Sequence, residues 1–362
     1  MNYGRIYRGA AVFKQIVYAK MTGKRMPIRI ALQLTKYCNM RCNYCYVNFD
    51  RYKNIADRSK KELFDTIDEL YRHGMRWLWF LGGEPMIRDD FGEIIDYAQH
   101  KGIFCDMNSN GVLINKKNID VVKKLDGVCI SIDGDEESND YYRGKGSYEK
   151  AMMAVKLLRE HNVAVRIHSV LTKRTWKTLD HVAQVSKELG TSFVFVEVLK
   201  NEPDENDHIL TSDEEKQFYT KYMEYKRRGY PILHSFRDIH YVINYPKKNG
   251  EKIYRDEASK FPHYSYVPCL SGDLLGFLDI DGRLYSCNGT WEHGLNYYDV
   301  GLKKAWDYLG TRTCVSCNCI GMIKLHSLFR LDLVALLDDI KLCHLYLGKQ
   351  HGSIAKKGVQ YE

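Results

Sequence analysis

Cys38, Cys42 and Cys45 form the pattern C-x3-C-x2-C, with Tyr44 just before the third cysteine. Three thiolates in one loop can hold three irons of a [4Fe–4S] cube and leave the fourth iron open to a substrate or cofactor. Iron–sulfur clusters take soft thiolate ligands. A structural cluster normally takes four cysteines, so a set of three is informative. Zinc with a fourth ligand from elsewhere is the alternative, although zinc pairs usually come as C-x2-C or C-x4-C. A disulfide is disfavoured, because the N-terminus lacks the uninterrupted apolar run of a secretory signal.

The elements around this loop must position it. Ile28–Thr35 alternates apolar and polar residues and reads as a strand feeding the cysteines. A second apolar run, Trp77–Leu81, ends in Gly82-Gly83-Glu84-Pro85. Out to about residue 200, helix candidates (58–73, 89–101, 116–124, 147–162, 175–189) alternate with strand candidates (103–107, 127–132, 163–171, 192–199). Such alternation argues for parallel βαβ units.

The CxxxCxxC loop after the first strand, with a GGEP motif after the second, resembles the radical S-adenosylmethionine (SAM) superfamily. The resemblance implies an α/β fold with a partial (βα)6 TIM-like barrel and its chemistry at the C-terminal strand ends. It implies an open-iron cluster on Cys38, Cys42 and Cys45 that binds SAM, and an electron donor of the flavodoxin or ferredoxin type. Gly82, Gly83 and Glu84 match the segment that holds the methionyl ammonium, the glycines letting backbone come close. Tyr44 matches a position whose backbone contacts adenine. Ser131 and Asp133, after the fourth strand, are placed for carboxylate or ribose hydroxyls. Asn108, Ser109, Arg143 and Glu197 complete the expected SAM contacts. Plainer roles stand beside these: Asp133-Gly134 can simply end a strand, and Glu197 can pair with a lysine. Arg143-Gly144-Lys145-Gly146 lacks the spacing of a phosphate loop and reads as a loop leading into a helix.

A second cysteine set follows. Cys269 and Cys287 flank Leu274–Gly282, which reads as a hairpin with a D-G turn; Cys314, Cys317 and Cys319 come next. This order resembles the C-terminal domains called SPASM and, in shorter form, twitch, which hold auxiliary [4Fe–4S] clusters. Seven cysteines are expected in the full pattern; this chain offers five, or six with Cys343. One auxiliary cluster is therefore expected, with Cys319 competing for its fourth place and structural zinc as the alternative. Cys105, Cys129 and Cys343 read as core residues.

The chain has 362 residues, a formal charge of +8, 44% hydrophobic and 28% charged residues. These values suit a soluble cytoplasmic protein with a sizeable core, and the scattered basic residues give no nucleic-acid footprint. The expected layout is an amphipathic helix at 1–25, the barrel at 26–200, a connecting and substrate-lining segment at 201–262, a small cluster domain of hairpin and helices at 263–320, and a helical tail at 321–362. The basic N-terminal helix and apolar tail also suit a membrane surface, as in a weak likeness to hopanoid-adenosylating enzymes. The expected reaction is hydrogen abstraction from a peptide or small molecule. The alternatives are a lipid- or isoprenoid-modifying enzyme and a non-catalytic metal-binding protein.

Overall fold

The computed structural model describes residues 3–47, 49–198, 208–247, 250–262, 264–291 and 293–338. Cys343, Ile340 and the acidic stretch 201–207 lie outside them. Six parallel strands form the frame: β1 (Arg29–Gln33), β2 (Trp77–Leu81), β3 (Phe104–Ser109), β4 (Gly127–Ser131), β5 (Val165–Leu171) and β6 (Ser192–Glu197). The helices around them are α1 (Tyr3–Thr22), α2 (Lys60–Arg72), α3 (Phe91–His100), α4 (Ile119–Val122), α5 (Glu136–Arg143), α6 (Ser147–Glu160) and α7 (Leu179–Leu189). α5 has no counterpart in the sequence reading. It is short and polar, without an apolar period, and Asp135 caps it by accepting from the Ser138 amide.

The strands are sequestered on both faces, as parallel strands are. Outward residues Ile30, Leu78, Met107, Ile130 and Ile167 are buried under Ile67, Ile94, Val155 and Leu179 of the helices, in one continuous core. Burying each such side chain contributes roughly 1.5–3 kcal/mol. Inward residues line the barrel.

The C-terminal half comprises α8 (Ser212–Arg227), α9 (Phe236–Ile243), β7 (Ile253–Tyr254), β8 (Leu275–Leu278), β9 (Arg283–Tyr285), β10 (Gly294–Asn296), α10 (Tyr297–Val300), α11 (Leu302–Leu309), β11 (Cys314–Ser316) and α12 (Ile320–Phe329). β8 and β9 make the antiparallel hairpin at Asp281-Gly282. The hairpin is continuous with the barrel rather than set apart: β8 runs parallel to β1, giving the strand order β10-β9-β8-β1-β2-β3-β4-β5-β6. Neither edge strand pairs with the other among the described residues, so the barrel is partial. α12 stands along β6, where a side chain at Gly321 would lie 3.3 Å from Val196.

The connecting segment contains two capped helices, of which α8 lies where the sequence places a helix at 212–228 capped by Thr211 or Ser212. Thr211 with Glu214, and Ser235 with Asp238, form reciprocal capping boxes. α1 buries Val12, Ile16 and Ala19 at the N-terminal end of the barrel, and Arg8 forms a forked ion pair with buried Asp126. Its other face leaves Ile6, Phe13 and Met21 exposed.

Candidate functional site

Gly83 brings the two motifs of the barrel mouth together. A Cβ there would sit 2.1 Å from the Tyr37 carbonyl oxygen, so only glycine fits. The Gly83 amide donates to the Thr35 carbonyl (2.7 Å) and the Glu84 amide to that of Tyr37 (2.8 Å). The close approach is thus to the cysteine loop itself. Gly82 and Gly83 also line a cavity of about 320 Å³ that carries Cys38, Cys42 and Cys45 on its wall.

Glu84 is 1% exposed and fully engaged. It accepts from Ser109 Oγ (2.8 Å), the Asn110 amide (2.8 Å) and the Met86 amide (3.1 Å), fastening the Gly-Gly loop to the end of β3. Burial raises its pKa, and these donors oppose the shift. Asn110 also reaches the loop, its Nδ2 lying 3.8 Å from Cys38 Sγ and 2.8 Å from Asn39 Oδ1.

Asp133 acts differently from the sequence expectation. It is completely buried and accepts from Tyr44 Oη, Arg143 Nε (2.6 Å), Arg143 Nη2 (3.3 Å) and the Val170 amide (2.9 Å). Each of its oxygens already accepts from two protein groups. Burial opposes the charge on Arg143, but Asp133, Tyr44 and Cys42 outweigh it and keep the guanidinium protonated beside the cysteine loop. Tyr44, Asn108, Ser109, Ser131, Arg143 and Glu197 all face the cavity. Asn108 is engaged by the Trp79 indole (3.0 Å).

The donor set of the first cysteine loop fits a cluster. Burial raises all three thiols, and mutual repulsion adds to it: Cys45 is pushed to about 11 by burial, then by Cys42 and Cys38. Three adjacent thiolates need a cationic centre to offset that repulsion, and bound iron supplies one.

The second set is assembled by topology. The Cys269 amide bonds to the Val315 carbonyl (3.0 Å), bringing the segment before the hairpin beside β11, and Cys287 follows β9. Each of Cys287, Cys314 and Cys317 feels the charge of Cys269. Burial acts to raise Cys269 too, but His326 and Arg312 overcome it and hold the thiol at about 6. Cys319 lines the main cavity and is raised by burial and then by Glu197, while it also feels Cys287 and acts on Cys317. Glu197 in turn accepts from Tyr219 Oη (2.7 Å) and from the Ile320 amide (3.1 Å). No three Cys, His, Asp or Glu side chains among the described residues are closed onto a single-ion centre.

Several cavity residues were not singled out by sequence: Arg29, Trp77, Trp79, Arg166, His168, His234 and Lys324. His168 is lowered to about 4, chiefly by burial and then by Arg143, and is neutral near pH 7. Cys105 is fully buried core, whereas Cys129 is largely buried and touches the cavity, accepting from Arg166 Nε (3.2 Å).

A partial parallel barrel with a three-cysteine loop stitched to a Gly-Gly-Glu-Pro turn defines the class, and residues 32–185 match the Radical SAM superfamily. Over those residues the chain carries that superfamily's domain. It is 28% identical over 234 residues to the antilisterial bacteriocin subtilosin biosynthesis protein AlbA of Bacillus subtilis, covering 62% of this chain and 50% of AlbA. It is 26% identical over 291 residues to an AdoMet-dependent heme synthase of Methanosarcina barkeri, covering 78% and 82%. The fold matches that of Streptococcus suis SuiB bound to S-adenosylmethionine with a TM-score of 0.60 at 15% identity, covering 82% of this chain and 68% of SuiB. The chain thus spans only about half of AlbA's length.

Proposed function

We propose that the chain is a radical SAM enzyme that modifies a peptide in the cytoplasm, drawing electrons from a flavodoxin- or ferredoxin-type donor. The observation that carries this reading is the joint presentation of Cys38, Cys42, Cys45, Gly82 and Gly83 on one cavity wall. Cys38, Cys42 and Cys45 would hold the cluster, which with SAM would supply the radical chemistry needed to take a hydrogen atom from an unactivated C–H bond. The residues around it prepare the space. The Gly83 backbone fixes the loop, Glu84 locks the turn to β3, and Arg143 places positive charge near Cys42. Gly82, Gly83, Ser131 and the Tyr44 backbone serve SAM. Trp79, Val196, Leu233 and Met322 exclude water from the reacting carbon. The peptide substrate is supported by AlbA, a bacteriocin biosynthesis protein, and by SuiB, solved with its precursor peptide SuiA.

Cys269, Cys287, Cys314 and Cys317 are the proposed ligands of one auxiliary [4Fe–4S] cluster. Cys319, turned toward Glu197, faces substrate. The enzyme reading is tested by reconstituting the protein anaerobically with iron and sulfide and adding dithionite and SAM. 5′-Deoxyadenosine is the expected product; a full cluster that never cleaves SAM, with or without candidate peptides, sinks it.

A second reading, a lipid-modifying enzyme at a membrane surface, is favoured by exposed Ile6, Phe13 and Met21 on α1 and exposed Leu333, Val334 and Leu337. No described helix is long and apolar enough to cross a membrane. Co-sedimentation with anionic vesicles, lost in Ile6→Ser/Phe13→Ser, supports this reading, and no co-sedimentation removes it.

A further inference from the structure

The floor of the barrel cavity carries a charge that the SAM reading leaves unused. Arg29, at the start of β1, is 6% exposed and lines the cavity. Its guanidinium makes no hydrogen bond or ion pair among the described residues, and its Nε is buried without a partner. The guanidinium carbon lies 4.9 Å from the ring centre of Trp77 and 4.3 Å from that of Trp79. Asp106 is close, but its oxygens are taken by Trp77 Nε1 (2.8 Å) and Arg166 Nη2 (2.9 Å). Asp106 therefore offers Arg29 nearby negative charge but no hydrogen bond. Burying such a cation without a hydrogen-bonding partner is costly.

We infer that Arg29 is the anchor for a carboxylate of the substrate, presented on an apolar arm inserted down the barrel. Both indole ring centres lie 4.9 Å or less from the guanidinium carbon, and neither ring offers it an acceptor. That arrangement suits a planar, two-oxygen acceptor. From Arg29 to Gln33 the strand climbs roughly 13 Å, at about 3.3 Å per residue. A substrate held at the floor thus presents a carbon remote from its carboxylate to the cysteine loop. Met322 and Leu325 of α12 give the arm an apolar wall. The inference rests on the radical SAM reading for the site of reaction, but the anchor itself is testable by binding alone.

The probes are hexanoate and hexanamide, equal in shape and different in charge, titrated by calorimetry into the full reconstituted chain. Hexanoate is expected to bind at least about tenfold more tightly. Arg29→Gln is expected to erase the preference, and Arg29→Lys, which keeps the charge, to retain part of it and so guard against simple loss of fold. Equal binding of the two probes, no binding of hexanoate, or a preference that survives in Arg29→Gln overturns the inference. Inorganic phosphate that competes as well as hexanoate overturns the carboxylate assignment. 5′-Deoxyadenosine formation by the wild type is read separately: its absence sinks the radical reading and leaves the probe result standing.

Discussion

The two cysteine sets are built on opposite principles. The first is local: its three cysteines share one short loop, braced by backbone bonds to Thr35 and Tyr37 and by a glycine that admits no side chain. The second draws on the segment before the hairpin, the end of β9, and β11 with the turn after it. Its brace is a side-chain network. Asn318, between Cys317 and Cys319, donates to buried Glu215 (3.3 Å) and accepts from the Gly250 amide (3.2 Å). A local loop defended by backbone tolerates little change at its brace but responds weakly to pH. A loop held by buried titratable groups behaves the other way.

The largest effect comes from removing each set in turn. Cys38→Ala/Cys42→Ala/Cys45→Ala is expected to reduce 5′-deoxyadenosine to background while leaving protein-bound iron and sulfide on the second set. Cys314→Ala/Cys317→Ala is expected to lose that second portion and keep a SAM-induced change in the cluster's EPR signal. Iron near zero in the first variant breaks the comparison, because the second set would then hold no cluster of its own.

Next is Gly83→Ala. Its Cβ meets the Tyr37 carbonyl at 2.1 Å, so loop or turn must shift. Overpacking of this kind costs roughly 1–3 kcal/mol, and misplacing a reacting group by about 1 Å can cost roughly a hundredfold in rate. A drop in melting temperature with at least a tenfold loss of SAM cleavage is expected. Unchanged turnover shows that the stitch is not what positions the cluster loop.

The same contrast explains what could be read without coordinates. The first loop and the Gly-Gly-Glu-Pro turn were legible because all their determinants are adjacent in sequence. The six barrel strands were legible from alternation, and the hairpin from Asp281-Gly282. The pairing of β8 with β1 was not, since nothing in Leu275–Leu278 names its neighbour. Asp133 was placed at the right strand end but its partners were not, because they come from the cysteine loop, α5 and β5. Arg29 and Arg166 carried a signal that went unused. A charged residue at an inward position of a strand buried on both faces has to face a lined interior. The C-terminal helix α12 supplies Met322 and Lys324 to the cavity across more than a hundred residues of chain, which no local pattern reports.

The smallest effect sharpens the comparison through pH. Burial, with the neighbouring Glu197 adding to it, pushes Glu215 from 4.5 to about 8, while Asn318 opposes the shift. The folded chain therefore keeps a proton that the unfolded chain releases. Folding stability from this group is fully present below 4.5 and declines as pH rises toward about 8. At about 1.4 kcal/mol per pKa unit, the decline is a few kcal/mol at most. Glu215→Gln keeps the shape and the acceptor for Asn318 but has no proton to lose. Its melting temperature is expected to fall less between pH 5 and 8 than that of the wild type, with the gap closing at the acidic end. The first set supplies the control: Gly83→Ala removes and adds no titrating group, so its deficit against wild type is expected to be the same at both ends of that range. Parallel pH curves for wild type and Glu215→Gln would mean that the second set is held by its packing and not by the protonated carboxyl.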